Sequence, residues 1–445
     1  MKNASKPKVC VAGVGAIGGL LAALIGRSRR AALSVIARGA RQEAIRQKGV
    51  VLDSDLFGHI VARPEAAAED GSALGVQDYV LICVKNYSLD AIAEQIAPCI
   101  GDDTVLLPVM NGIEAGDRLR RRFPHAVVGD SVIYTITAAE ADFSARQEGT
   151  YTYMTIGSKS PNEKERDKVK ALAALLRDTG LDCRWTEDIE SAIWQKYILN
   201  CAFNCVTARY QTDLGGIRAD AAKASDLKAL LAEAFAVGEA TGAALPKDLV
   251  EKRYRAMMEK QAPTATSSMK RDIAAHRPTE LDAFLGALLK KAKEANIAAP
   301  MSRRYYDALK KVNNLIGDAY KVKETILMVG DMTEMYVGAY KKMLSDPNYS
   351  PEELSAMAAG YAKLMERSSE SLKELKSLVR SGVLSMNDKE RIELIDRIYN
   401  EVKEYRAATS YFTRKNISVS FVRAAKKGEM ARVNALYGSA DNRYW

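Results

Sequence analysis

Three polar side chains recur at helical spacing within a mostly apolar stretch. Lys196, Asn200 and Asn204 stand four residues apart in IWQKYILNCAFNCVTA. Residues four apart lie on one face of a helix, so these three form a narrow polar stripe. A helix that is apolar nearly all round is usually buried, and a buried lysine needs a partner and has a lowered pKa. The stripe therefore predicts one wall of a cleft. The alternative is the thin solvent face of an amphipathic helix.

Two further polar side chains directly follow strand-like apolar runs. Lys85 comes after YVLICV, and Asn111 comes after LLPVM. In open α/β sheets ligands bind at the carboxyl ends of the strands, so Lys85 and Asn111 are expected where a cofactor and a substrate meet. For Lys85 the alternative is an ordinary exposed lysine, which is what most lysines are.

A downstream segment, TSSMKRDIAAHRPTELDAF, carries hydroxyl groups and an acid. Ser268 and Glu280 are its candidate functional residues. Glu280 also has a structural interpretation, because Thr279 could cap a helix and the helix dipole favours an acid in the first turn.

A glycine-rich turn opens the chain at VCVAGVGAIGG, between an apolar strand and a helix of small residues. Gly13 permits the tight turn, Gly15 lets a pyrophosphate approach the backbone, and Gly18 lets the helix lie close to the strand. The N–H groups at the helix start, at Ala16 and Ile17, then face the phosphates. This context predicts a dinucleotide site.

The next strand, LSVIAR, ends in Arg38, and Arg41 follows closely. A site that prefers NAD usually has an acid near this position, whereas an arginine accommodates a 2′-phosphate. The sequence therefore favours NADP, and the alternative for Arg38 is a solvated charge.

Strand patterns alternate with helix patterns, which predicts an α/β Rossmann domain with a parallel, doubly wound sheet over residues 1–186. The strand patterns include Val50–Leu52, His59–Val61, Tyr79–Val84 and Leu106–Met110. Helical patterns then predict an all-α domain over 187–312, followed by a helical, coiled-coil-like extension over 313–445.

Composition excludes several classes of protein. The net charge of +9 over 445 residues does not by itself indicate nucleic-acid binding. The six cysteines lack metal-site spacing, so no metal is predicted. No apolar run approaches the ~18–20 residues of a membrane span, and no signal peptide is recognisable, so a cytoplasmic protein is expected.

Five segments in order resemble the ketopantoate reductase family over residues 8–312. They are GVGAIGG, VKNYS, MNGIE, WQKYILNCAFN, and SSMKRDI followed by TELD. The resemblance implies NADPH-dependent reduction of 2-dehydropantoate to pantoate, a step of pantothenate and coenzyme A biosynthesis.

The resemblance also implies roles for single residues. Lys196 would be the general acid that protonates the nascent alkoxide, and Glu280 would orient the substrate and the lysine. Lys85 and Asn111 would lie beside the cofactor. The groups that contact the substrate would be Asn111, Asn200, Asn204 and Ser268.

At two positions the sequence departs from the family pattern, so it does not determine the chemical structure of the substrate's distal end. Met110 stands where members often have glutamine, and RYQTDLGGI lacks an asparagine that some members carry. A first alternative is a related 2-oxo acid or hydroxy acid dehydrogenase with another substrate. A second is a conjugation-associated helical interaction protein that carries a fused reductase.

The extension, from KVKETILMVGDMTEMYVGAYKKML to ALYGSADNRYW, is similar to the helical C-terminal part of a Bacteroidetes conjugative-transposon transfer protein. Glu352–Val379 and Ile392–Phe412 have the apolar spacing of long amphipathic helices, separated by a break at Ser381–Asp388. These helices predict self-association or a partner helix. Basic residues and aromatics alternate from Tyr405 to Trp445, which is compatible with nucleic acid, but a solvated helix face is favoured.

Overall fold

The computed structural model describes residues 6–380 and 388–438. The chain divides into two compact units. Unit 1 comprises Met1–Ala274 and Thr279–Lys310, and unit 2 comprises Ala275–Pro278 and Lys311–Trp445. None of the described helices is long and apolar enough to cross a membrane.

The strands of the described chain all lie in unit 1. In chain order they are β1 (Lys8–Ala12), β2 (Ala32–Ile36), β3 (Val50–Ser54), β4 (Gly58–Ala62), β5 (Ala66–Ala68), β6 (Tyr79–Ile82), β7 (Val105–Pro108), β8 (Val127–Val128), β9 (Asp130–Ala139), β10 (Ala145–Gly157) and β11 (Asp182–Trp185).

The described helices fall in both units. Those of unit 1 are α1 (Ala16–Ser28), α2 (Gly39–Lys48), α3 (Leu89–Ile96), α4 (Ala115–Arg122), α5 (Glu163–Asp178), α6 (Ile189–Tyr210), α7 (Leu214–Arg218), α8 (Ala221–Ala240), α9 (Leu249–Arg255), α10 (Ser268–Ala274) and α11 (Ala287–Glu294). Helix α12 (Pro300–Leu344) begins in unit 1 and ends in unit 2, which also contains α13 (Pro351–Arg380), α14 (Asp388–Lys427) and α15 (Met430–Tyr437). Short 3₁₀ or π turns cover Gly71–Ala73, Asn86–Ser88, Ala97–Cys99, Ala256–Lys260 and Asp282–Gly286.

The first sheet has the order β5-β2-β1-β6-β7-β8, and its strands are parallel. The order reverses direction at β1, where the chain first crosses to β2 and later returns to β6 on the other side. This reversal opens a crevice at the carboxyl ends of the strands, which is where ligands bind in such folds. The predicted doubly wound parallel sheet is confirmed.

A second sheet contains strands that the sequence pattern had suggested for the first. Its order is β11-β10-β3-β4, with β9 also paired to β10. The pairs β10–β9 and β3–β4 are antiparallel, whereas β10 is parallel to β3 and β11. The separation arises because α1 is buried from Gly18 to Ile25 and packs against strands of both sheets.

Helix α6 forms the centre of the helical part of unit 1. It begins at Ile189, four residues before the predicted stretch Ile193–Ala208, and the Asp188 side chain caps it by accepting a hydrogen bond from the Ser191 N–H. Its apolar side chains, including Trp194, Tyr197 and Ile198, pack with those of α8 and α11. This packing fixes the rotation of α6, and hence the direction of its polar stripe.

Helices α12 to α15 make up most of the described part of unit 2. Helix α12 continues without a break through Val312, and residues 345–350 separate it from α13. Helices α13 and α14 approach closely at Gly360, where a Cβ atom would lie 2.7 Å from Phe412. The predicted helical extension is thus confirmed. The break was predicted at Ser381–Asp388, but Asp388 is already the first residue of α14. Residues 381–387 and the terminal Arg443, Tyr444 and Trp445 lie outside the described residues.

Candidate active site

The glycine-rich turn joins β1 to α1, and its three glycines have different surroundings. Gly13 has a φ of +93°, and a Cβ there would lie 2.5 Å from Val84 Cγ1. A Cβ at Gly18 would lie 1.9 Å from the Gly13 carbonyl oxygen. At Gly15 nothing lies within 4 Å of the added atom, so the space beside this residue is open. The two closed positions shape the turn, and the open one leaves room for a ligand.

The first turn of α1 presents unpaired backbone donors at this open space. Gly15 is the N-cap and offers no side chain to accept from them, and the first turn contains no acidic residue. The N–H groups of Ala16, Ile17 and Gly18 have no partner within the helix. Such donors, with the positive end of the helix dipole, suit the pyrophosphate of a dinucleotide. The residues present therefore fit the cofactor that the sequence indicated.

Two arginines follow β2 and differ in what they contact. Arg38 is exposed just beyond the strand end and is the N-cap of α2, and no carboxylate pairs with it in the described chain. Arg41 donates from Nη1 to the carbonyl oxygen of Val14 at 2.7 Å and lies over the Phe143 ring. Arg41 thus supports the glycine-rich turn, while Arg38 leaves its guanidinium available to a phosphate.

Lys196 projects from α6 toward β9 and is half-buried. Its Nζ donates to the carbonyl oxygen of Ile133 at 2.6 Å and lies 5.5 Å from the centre of the Tyr134 ring. Burial lowers the pKa of Lys196 to about 8, against a smaller opposing effect of the Glu280 charge. The amine therefore stays largely protonated at neutral pH, yet it holds its proton less tightly than an ordinary lysine.

The other two residues of the stripe continue a chain of hydrogen bonds along α6. Asn204 Nδ2 donates to Asn200 Oδ1 at 3.3 Å, and Asn204 Oδ1 accepts from Ser268 Oγ at 3.2 Å. Asn200 Nδ2 in turn reaches Asn111 Oδ1 at 3.5 Å. Asn204 is buried, so the stripe is not simply a solvent-facing side of the helix. The structure brings Asn111, Asn200, Asn204 and Ser268 together.

Glu280 is only 4% exposed, and it precedes the helical segment instead of standing in its first turn. Its Oε1 accepts from the backbone N–H and the Nδ2 of Asn86, at 3.1 and 2.8 Å. Its Oε2 accepts from Asn111 Nδ2 at 3.3 Å and pairs with Lys85 Nζ at 3.4 Å. Burial by itself would raise the pKa of Glu280, but Lys85 and the amide donors outweigh it, so the pKa is lowered. Glu280 is therefore an ionised, buried carboxylate.

Lys85 is not a free surface lysine. Its ammonium pairs with Asp272 Oδ2 at 3.0 Å as well as with Glu280. Burial acts to lower its pKa, but the two carboxylates outweigh that effect and raise it. Lys85 thus remains cationic, just beyond the carboxyl end of β6.

Three contributors to this site were not singled out from the sequence. Asn86 and Asp272 stand inside the segments VKNYS and SSMKRDI, next to residues that were. Their proximity to Lys85 and Ser268 was a usable signal. Tyr134 gave no signal, because a tyrosine in a strand is ordinary and only the fold places it beside Lys196. No group of described histidines, cysteines and acids is arranged to hold a metal ion.

Comparisons with known proteins agree on one family. The family model described as ketopantoate reductase PanE/ApbA matches residues 9–161, and that described as ketopantoate reductase PanE/ApbA C terminal matches residues 188–313. The 2-dehydropantoate 2-reductase of Mesorhizobium japonicum is 33% identical over 303 residues, which cover 63% of this chain and 90% of that protein. An uncharacterized oxidoreductase of Bacillus subtilis, YkpB, is 27% identical over 67% of this chain and 96% of its own length.

Solved structures show the same correspondence. The crystal structure of 2-dehydropantoate 2-reductase from Methylococcus capsulatus has a TM-score of 0.63 and 26% identity, and the match covers 69% of this chain and 97% of that one. A D-mandelate dehydrogenase, solved with NADH and anilino(oxo)acetate, has a TM-score of 0.63 at 18% identity and shares the fold. The match covers 70% of this chain and 99% of the D-mandelate dehydrogenase chain.

Proposed function

Because the chain belongs to the ketopantoate reductase family, we propose that it reduces 2-dehydropantoate to pantoate with NADPH. The observation that carries this proposal is the position of Lys196. It is a half-buried ammonium whose pKa of about 8 suits a proton donor at neutral pH. Asn200 and Asn204 follow it along the same face of α6, and their side chains contact Asn111 and Ser268. These are the groups that the reduction of a small 2-oxo acid requires.

The cofactor is assigned to the glycine-rich turn and the strand ends. Gly13, Gly15 and Gly18 form the cradle, the N–H groups of Ala16 and Ile17 bind the pyrophosphate, and Arg38 binds a 2′-phosphate. Lys85 and Asn111 line the neighbouring strand ends on the nicotinamide side. Bound NADPH supplies the hydride for the reduction.

Lys196 performs the acid step. As the carbonyl carbon of the substrate is reduced, negative charge develops on its oxygen, and the nearby ammonium stabilises that charge. Lys196 then transfers one proton from Nζ to the alkoxide, giving the 2-hydroxy acid and a neutral amine. The hydrogen bond to Ile133 fixes the direction of Nζ, and solvent later restores the proton.

Polar side chains around Lys196 hold the substrate. Asn200, Asn204, Ser268 and Asn111 offer donors and acceptors along one line, so they suit a small acid with a carboxylate and a hydroxyl group. Glu280 is the anion that favours the protonated form of Lys196 and helps to orient the substrate. The resemblance to the family implies these roles, and the hydrogen bonds among Asn111, Asn200, Asn204 and Ser268 support them.

A related enzyme with a different 2-oxo acid is the second candidate. Met110 and the segment Arg209–Ile217 depart from the family pattern at positions that bear on the distal end of the substrate. Under this alternative the same lysine and cofactor act on another branched 2-oxo acid. A conjugation-associated interaction protein with a fused reductase is the third candidate, and the complete cluster of Lys196, Glu280 and the asparagines argues against an inert reductase part.

Oxidation of NADPH, followed by absorbance with ketopantoate, 2-oxoisovalerate and pyruvate in parallel, tests the proposal. We expect the highest kcat/KM with ketopantoate. A higher value with 2-oxoisovalerate would favour the second candidate. No turnover with any of the three acids by a folded chain would contradict the reductase assignment.

A further inference from the structure

One buried carboxylate next to the site has no role in the proposed reaction. Asp272 lies on α10 and is 7% exposed, and its Oδ2 is 3.0 Å from Lys85 Nζ. The same ammonium is 3.4 Å from Glu280 Oε2. Lys85 is therefore shared between two carboxylates, and the shorter contact is with Asp272.

The oxygens of Glu280 show why this sharing matters. Oε1 has two donors, both from Asn86, at 3.1 and 2.8 Å. Oε2 has only two long contacts, with Asn111 at 3.3 Å and Lys85 at 3.4 Å. A lysine on a flexible side chain with a single carboxylate partner would shorten that contact, because the ion pair is strongest at hydrogen-bond distance. Oε2 is thus the oxygen that Lys85 would cover if Asp272 did not compete for it.

We propose that Asp272 is a positioning residue that holds the Lys85 ammonium back from Glu280, so that the Glu280 carboxylate keeps its negative charge directed toward Lys196. Asp272 touches neither the substrate nor the reacting atoms and acts through Lys85. The inference rests on the proposed function only in treating Lys196 as the proton donor.

The charges around Lys196 determine the direction in which its pKa should shift. From β9, Lys196 meets the Ile133 carbonyl and the ring of Tyr134, whose hydroxyl contacts Arg253. Glu280 is the anion whose charge favours protonation of Lys196, and Lys85 pairs with both Glu280 and Asp272. When Asp272 is removed, Lys85 pairs with Glu280 alone and cancels more of its charge. Lys196 then loses its proton at lower pH.

The first test measures turnover against pH for the full chain and for Asp272→Asn. The basic limb is the part of the profile in which kcat falls at high pH. We expect it to move to lower pH by about one unit, the usual size of the effect of one nearby charge. Asp272→Glu, which restores the carboxylate, should return the limb toward its original position. An unmoved limb in folded Asp272→Asn would overturn the inference.

Asp226→Asn is the matched control. Asp226 is also a buried carboxylate, 9% exposed, and it pairs with Arg304 and accepts from Tyr305. Its loss removes a buried ion pair of the same kind and should lower the melting temperature. The basic limb should stay in place, because Asp226 contacts Tyr210, Arg304 and Tyr305 and belongs to a different cluster from Lys85 and Glu280. A limb that moved equally in both variants would mean that Asp272 acts only through stability.

A second variant should shift the pKa of Lys196 in the opposite direction. Lys85→Met removes the cation that competes for Glu280, so Lys196 should keep its proton to higher pH. Adding Asp272→Asn to Lys85→Met should then have no further effect on Lys196. An additive effect of the two substitutions would contradict the proposed route through Lys85.

A measurement without turnover separates this inference from the proposed function. Competitive acylation of lysines across a pH series, with peptide mass mapping, reports the protonation of Lys196 directly. We expect the Lys196 midpoint to fall in Asp272→Asn and to rise in Lys85→Met, and unchanged midpoints would overturn the inference. If the unmodified chain reduces none of the 2-oxo acids while these shifts appear, the proposed function fails and the positioning role stands.

Discussion

At the scale of single residues, the behaviour of the site depends on a cation held partly out of water. Lys196 has a carbonyl and an aromatic face as its near partners, and Glu280 acts on it only at longer range. Burial without a directly paired anion is what brings its pKa down to about 8. A lysine paired at contact distance, as Lys85 is, has its pKa moved the other way. The two lysines are therefore suited to different tasks.

Replacement of Lys196 by alanine should lower turnover by about 10²–10⁴-fold, the usual contribution of a positioned acid. NADPH affinity should barely change, because the phosphates are assigned to the distant glycine-rich turn. Turnover with ketopantoate and NADPH binding by fluorescence, on the same variant, test both statements. Lys290→Ala, at an exposed lysine of α11, is the control. Near-normal turnover in Lys196→Ala would remove the proposed mechanism.

The pH dependence of reduction should follow the protonation of Lys196. Only the ammonium form can donate the proton, so kcat should be flat near neutrality and fall as the pH rises through about 8. The same group affects stability with a definite sign. Its pKa is lower in the folded chain than the ordinary 10.5, so its burial opposes folding most below pH 8 and least above 10.5. A rate that increased between pH 8 and 9 would contradict its role as the acid.

Arg38 should decide the preference between the two nicotinamide cofactors. Loss of a charge-assisted contact with the 2′-phosphate should weaken NADPH binding by about ten- to a hundred-fold in Arg38→Ala. NADH binding should be unaffected, because NADH has no phosphate there. Arg30→Ala, at the opposite end of β2, is the matched control. Equal KM values for the two cofactors in the unmodified chain would refute this assignment.

At the scale of elements, the turn between β1 and α1 combines two kinds of glycine. A methyl group at Gly18 has to displace the Gly13 carbonyl, whereas a methyl group at Gly15 meets nothing in the protein. The motif predicts the approach of a ligand at Gly15 and close helix packing at Gly18. The structure shows a tightly packed position at Gly18 and open space at Gly15.

The two glycines should therefore respond differently to alanine. Gly15→Ala should keep the melting temperature of the unmodified chain and lose NADPH affinity, because its methyl group occupies the space assigned to the pyrophosphate. Gly18→Ala should lower the melting temperature, since the turn itself must shift. Thermal unfolding with and without NADPH measures both effects. Unchanged NADPH affinity in Gly15→Ala would place the cofactor elsewhere.

The sequence was informative where local chemistry determines the outcome. Periodicity located α6, strand-end position located Lys85 and Asn111, and the glycine spacing located the turn. The sequence was less informative where contacts between residues far apart in the chain determine the structure. The patterns of β3 and β4 are those of ordinary strands, and only the packing of α1 between two sheets assigns them to the second one. Glu280 likewise had a sound local interpretation as a helix-start acid, and its partners Asn86 and Lys85 come from nearly 200 residues earlier.

At the scale of the whole molecule, the residues proposed for the reaction all belong to unit 1. Tyr305 and Leu309, in the first part of α12, are buried in the helical core of that unit. A chain that ends at Lys310 keeps both of these side chains and every proposed site residue. Unit 2 has its own buried clusters, with members such as Met343, Tyr361 and Ile417.

Truncation after Lys310 should consequently leave turnover close to that of the full chain. Circular dichroism should show a folded protein with a smaller helical signal, because most of α12 and all of α13 to α15 are removed. Steady-state kinetics of the two chains side by side provide the test. Loss of activity in a folded truncated chain would assign unit 2 a part in the site or in an assembly that the site needs.

The distribution of sulfur has a consequence of its own. All six cysteines are buried, free thiols, and all of them belong to unit 1, while unit 2 contains none. Burial raises the pKa of Cys183 to about 12, whereas a hydrogen bond with Cys10 lowers the pKa of Cys99, so burial is the protection that all six thiols share. Reaction with a thiol reagent must wait for a local or global opening of unit 1. The rate of that reaction therefore reports the opening of unit 1 alone, because unit 2 has no cysteine that could react.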